Sequence, residues 1–92
     1  MSDSEGSSAA TATATATAVL VHVVRSLVDD PDSVIVETTE GRRGKLLLEV
    51  RTGPGDMGRV IGRRGKTAQA IRAVARAAAT KDGVDIDVDF VD

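Results

Sequence analysis

Two glycines three residues apart enclose a pair of arginines and are followed at once by a lysine, in the run Val60-Ile61-Gly62-Arg63-Arg64-Gly65-Lys66-Thr67. Glycine accepts left-handed backbone and carries no Cβ, so a turn bounded by two of them can bend sharply and bring its N–H groups close to a ligand. A helix beginning at Lys66 would aim the positive end of its dipole, and four unbonded amides, at the same point. Arg63, Arg64 and Lys66 add side-chain charge there. Backbone donors and guanidinium groups converging on one bend suit phosphate, and the repeated charge suits a strand of phosphates better than a single ion.

Other chemistries lack their parts. A nucleotide-binding P-loop needs glycine five positions before Gly65, where Val60 stands, and a strand before the loop, where Met57 to Ile61 reads as helix. His22 is the only histidine and has no nucleophile or second ligand beside it in the sequence. Asp85, Asp87 and Asp89 would share one strand face, but alternate residues stand about 7 Å apart and point in parallel rather than converging on a cation. They read as a solvated face that discourages edge pairing. No catalytic residue, metal ligand or cofactor is expected.

Composition sets the frame. The 92 residues suffice for one small domain, and without cysteine the core must rest on Val, Leu, Ile and Ala burial. Residues 1–17, an acidic Ser/Gly-rich start running into alternating Ala and Thr, read as a disordered tail, leaving 18–92 as the domain. No basic n-region or leucine-rich stretch marks a signal peptide, and nothing approaches the roughly 20 apolar residues of a membrane span, so a cytoplasmic protein is expected. The net charge of −2 conceals segregation: Arg42 to Arg76 holds ten basic residues against two acids, +8, while the remainder holds two against twelve, −10. Local field matters more than the total beyond a Debye length of about 10 Å, so the basic half can still hold an anionic strand.

The elements that must position the loop follow from periodicity. Val19, Leu20, Val23, Val24, Leu27 and Val28 fall at helical spacing and predict a helix over about Thr15 to Val28, ended by Asp29-Asp30-Pro31-Asp32. Ser33 to Thr39 and Lys45 to Arg51 read as strands joined through Glu40-Gly41-Arg42-Arg43-Gly44, and three consecutive leucines in the second suit a central strand covered on more than one side. Asp56 is placed to cap a short helix over Met57 to Ile61. Lys66 to Thr80 follows as an Ala-rich helix with Ala68, Ile71, Val74 or Ala75, and Ala78 as its buried stripe. Val84 to Phe90 alternates strictly, apolar residues inward and aspartates outward. The order α-β-β-α-α-β predicts an α+β fold, a three-stranded mixed sheet with helices packed on one face: a hairpin, then a parallel strand reached by a right-handed crossover.

This order, with Ile-Gly-Arg-Arg-Gly between the last two helices, resembles the type II KH domain, the bacterial form of an RNA-binding fold. More narrowly, Asp56-Met57-Gly58-Arg59-Val60-Ile61-Gly62-Arg63-Arg64-Gly65-Lys66-Thr67, followed by Ala70-Ile71-Arg72, is similar to the small single-KH RNA-binding proteins of the KhpA family. The resemblance covers about Val19 to Val91. It implies that Gly62, Arg63, Arg64 and Gly65 clamp about four nucleotides of single-stranded RNA while an adjacent groove reads the bases, with Lys66 and Arg59 flanking as backbone contacts and Val60 and Ile61 anchoring the loop. It further implies an RNA chaperone or post-transcriptional regulator linked to cell-wall synthesis and cell shape, acting as a homodimer or with a larger Jag-type KH protein. Ala68 departs from the family, where larger aliphatics are common, and puts a shallower groove floor or core at that point.

Within this frame Met57 and Phe90, the one aromatic residue, are expected in the core, which leaves no stacking platform of the RRM or OB type. Arg72 and Arg76, four apart, read as a wet helix face or as further RNA contacts. Arg42 and Arg43 matter only if their hairpin lies near the clamp. Ala70, Ala73 and Ala77 offer a flat helix face for another helix. The competing function is a protein–protein adaptor or dimerisation module that kept the fold and lost RNA, which would have no reason to keep Arg63 and Arg64.

Overall fold

The computed structural model describes residues 11–91. In chain order it holds α1 (Ala14–Leu27), β1 (Ile35–Glu40), β2 (Leu46–Arg51), α2 (Met57–Ile61), α3 (Lys66–Lys81) and β3 (Ile86–Val91), with 3-10 turns over Pro31–Ser33 and Arg63–Gly65. The α+β order and the strand count match the expectation; strand boundaries shift by one or two residues. Ser33 belongs to the turn that Pro31 opens rather than to β1.

The sheet runs β1-β2-β3, with β1 and β2 antiparallel and β2 and β3 parallel. A short loop suffices for the hairpin, whereas the parallel step needs the two intervening helices as a crossover. Register puts Val36, Leu48 and Val50 with Val88 and Phe90 on one face, and the row Glu37, Glu49, Asp89 on the other. The helices cover the first face, where Leu48, Val50, Ile86 and Val88 meet Leu20, Val24, Met57, Val60, Ile71 and Ala75 in one core. The three leucines of β2 are therefore not covered on both sides: Leu48 is fully buried, and Leu46 and Leu47 are half-buried.

α1 turns Ala16, Leu20 and Val24 inward at four-residue spacing, all fully buried. It starts one residue before the expected Thr15, so the expected tail over residues 1–17 and the helix overlap at 14–17. Alanine is the best helix former, and Ala16 is small enough to sit against the sheet. The Thr13 and Thr38 hydroxyls meet at 3.0 Å just ahead of the helix. Residues 11 and 12 of the expected tail are helical as well, and residues 1–10 lie outside the described residues.

α3 buries Ala68, Ile71, Ala75 and Ala79. The buried stripe thus takes Ala75 rather than Val74, which is 52% exposed, and Ala79 rather than Ala78. Small residues along this line bring the helix axis close to the strands. Replacing Leu48 by Ala is expected to lower stability by about 3 kcal/mol in urea denaturation. Val74→Ala, at an exposed helical position, should change it by less than about 0.5 kcal/mol.

Candidate nucleic-acid interface

α2 stops because Gly62 takes φ 74°, ψ −179°, a conformation only glycine adopts readily. Its amide donates to the Gly58 carbonyl at 3.0 Å, closing the helix. A Cβ on Gly62 would collide with the Thr67 hydroxyl and lie 2.6 Å from the Thr67 Cβ, so Thr67 packs directly beneath the bend. Arg64 (φ 57°, ψ 26°) and Gly65 (φ 73°, ψ 11°) are left-handed as well. Three such residues in four separate α2 from α3.

The bend uses some of its own donors. The Gly65 amide donates to the Gly62 carbonyl at 3.2 Å and the Lys66 amide to the Arg63 carbonyl. The expectation of four unbonded amides is thus corrected at Lys66, because the tight turn closes on itself. Among the described residues, the Arg63 and Arg64 amides carry no intramolecular hydrogen bond.

Side-chain charge is distributed unequally. Arg25 pairs with Asp32 at 3.4 Å, Lys45 with Asp87 at 3.8 Å, Arg51 with Glu37 at 3.8 Å and Arg76 with Asp87 at 3.3 Å. Arg72 donates through Nε to the Val88 carbonyl at 3.1 Å and lies 5.0 Å over the Phe90 ring. Arg72 and Arg76 therefore fasten α3 to β3 rather than forming a merely wet face, and Phe90 is half-buried under a guanidinium group. Arg63, Arg64 and Lys66, all exposed, have no ion pair or side-chain hydrogen bond among the described residues.

Arg59, the remaining cation expected at the site, is engaged. Its Nη2 stands 3.1 Å from Asp29 Oδ2 and its Nε 3.6 Å from Asp56 Oδ1. Asp56 makes no side-chain cap for α2. Instead its buried carboxylate accepts the Asp29 amide at 3.2 Å and the Asp30 amide at 3.1 Å, donors left over where α1 ends. A bond across 27 residues leaves no local signal, and sequence reasoning missed it.

Arg42 and Arg43 are also unpaired among the described residues, but they lie elsewhere. The Leu46 amide bonds the Asp85 carbonyl, so the hairpin tip shares an end of the sheet with the exit of α3. The Gly62–Gly65 bend lies at the opposite end of that 16-residue helix, about 24 Å away. Beside the bend, Val23 and Leu27 of α1 and Thr67, Ala70, Ile71 and Val74 of α3 line an apolar groove of about 220 Å³. Ala70, Ala73 and Ala77 are exposed.

The two glycines should differ in tolerance. Gly65 has open space around a Cβ, so Gly65→Ala bears only the left-handed strain, about 1 kcal/mol. Gly62→Ala adds the Thr67 collision and a backbone region closed to alanine, and should lose at least twice as much in chemical denaturation.

Comparison with known proteins agrees with this geometry. The family model described as KhpA/KhpB, KH domain matches residues 17–90. A protein of Leifsonia xyli named RNA-binding protein KhpA is 51% identical over 73 residues, 79% of this chain and 92% of its own. Its namesake from Streptomyces coelicolor is 48% identical over 73 residues, covering 79% and 90%. That of Mycobacterium leprae is 48% identical over 71, covering 77% and 84%. The family match spans the sheet, most of α1, both later helices and the glycine-bounded bend, and the chain belongs to the KhpA/KhpB family of KH-domain proteins.

Proposed function

We propose that this protein binds single-stranded RNA without catalysing a reaction, holding the phosphate backbone at Gly62, Arg63, Arg64 and Gly65 with Lys66 and Arg59 beside them. The observation that carries this reading is the distribution of unpaired donors. Carboxylates or carbonyls take up the arginines along the sheet, while the bend keeps three cations and two amides without partners among the described residues. Such an array fits charge-assisted contacts to successive phosphates. Phe90 lies under Arg72, which favours backbone clamping over stacking as the main source of affinity.

Family membership supports the finer reading: a cytoplasmic RNA chaperone or post-transcriptional regulator linked to cell-wall synthesis and cell shape, working as a homodimer or with a larger Jag-type KH protein. The relatives are named as RNA-binding, and the family description names KhpA and KhpB together. The apolar groove beside Val74 favours a protein contact in addition to RNA. No described helix is long and apolar enough to cross a membrane.

Replacing Arg63 and Arg64 together by Ala should abolish most retention of a single-stranded oligoribonucleotide in filter binding while leaving the circular dichroism spectrum intact. The slope of log K against log salt should flatten by about 1.4, two phosphate contacts at about 0.7 each. Equal retention by the variant and the wild type would favour the adaptor reading.

A further inference from the structure

We propose that Asp29 sets the RNA affinity of the bend by competing with phosphate for Arg59. The inference rests on the clamping role assigned above. Arg59 lies on the last turn of α2, three residues before Gly62, and is the one cation assigned to the site that already holds anionic partners.

Its two carboxylates differ in what else they do. Asp56 is buried, and both its oxygens accept backbone amides, so it is committed to joining the end of α1 to the start of α2. The Asp29 side chain is 77% exposed, and its carboxylate has no other polar partner among the described residues. The backbone amide of Asp29, not its side chain, makes the bond to Asp56. Removing the carboxylate therefore leaves the tie between helices in place.

An exposed pair at 3.1 Å is weak and exchangeable, worth no more than about fivefold in an equilibrium. A phosphate arriving at the bend meets Arg63, Arg64 and Lys66 unopposed. It gains the Arg59 Nη2 donor by displacing Asp29 from it. The pair thus acts as an internal counter-ion that holds binding below what the bend would give with Arg59 held by Asp56 alone.

The test uses the full chain and a fluorescein-labelled 12-nucleotide single-stranded RNA, followed by anisotropy across a range of KCl concentrations. Asp29→Asn is expected to tighten binding about two- to fivefold near 0.1 M salt and to steepen the slope of log K against log salt by about 0.7. Asp29→Ala should act in the same direction. In an Arg59→Ala background the Asp29→Asn gain should vanish. Asp32→Asn, which removes an exposed carboxylate paired with Arg25 instead, should leave affinity unchanged. No tightening in Asp29→Asn, a gain that persists without Arg59, or an equal gain from Asp32→Asn would each overturn the proposal. Arg63→Ala/Arg64→Ala in the same assay separates the two readings: undiminished binding there overturns the clamp and this inference together, whereas lost binding there without an Asp29→Asn gain overturns this inference alone.

Discussion

Everything at the candidate site depends on the backbone between Ile61 and Lys66 leaving the helical region and returning to it within four residues. Gly62, Arg64 and Gly65 all take positive φ, and at Gly62 neither the torsions nor the space above Thr67 admits a side chain. This conformation separates α2 from α3 and leaves the Arg63 and Arg64 amides without acceptors among the described residues. Arg64 is the costly member, since a non-glycine residue in left-handed backbone stores strain of about 1 kcal/mol or more. Strain kept at a cationic position that has no ion pair or side-chain hydrogen bond among the described residues is consistent with selection for a ligand rather than for stability.

The rest of the fold holds that bend in place and keeps other charges quiet. α2 has five residues, too few to persist alone, and it is anchored at both ends: Asp56 grips the amides after α1, and Val60 is buried in the core. α3 lies close to the sheet through Ala68, Ala75 and Ala79, and Arg72 and Arg76 fasten it to β3. Four of the acidic residues, Glu37, Glu49, Asp87 and Asp89, fall on the open face of the sheet, while Asp29 and Asp56 lie beside Arg59. A protein with net charge −2 thus keeps three exposed cations at the bend, while Lys45, Arg51 and Arg76 are paired with carboxylates of the sheet.

Much of this could be read directly from the chain. Strict alternation in Val84 to Phe90, the β-branched run around Val36, the alanine-rich stretch after Lys66 and the glycine pair each carry their own local signal, and each element formed where that signal lies. What escaped reading was long-range. Asp56 has the sequence position of a helix cap, yet it turns to amides 26 and 27 residues earlier, because the chain leaving α1 needs acceptors there. Whether α3 buries Val74 or Ala75 depends on rotation of the helix over the strands, which its own periodicity leaves open. The Ala/Thr stretch looks like tail by composition, yet Ala16 is buried, since a helix nucleated by Leu20 and Val24 can extend backward through good helix formers. At the site, the cations at the bend were legible. Their contrast with the paired Arg59 was not, because pairing depends on Asp29 arriving from α1.

The most direct measurement of the central claim is a titration of the 15N-labelled protein with single-stranded RNA, following backbone amide resonances. The account predicts the largest shifts at the Arg63 and Arg64 amides, with smaller ones at Lys66, and little change at Arg42 and Arg43 at the far end of the sheet. Unmoved Arg63 and Arg64 resonances at saturating RNA, with the shifts gathered elsewhere, would contradict it.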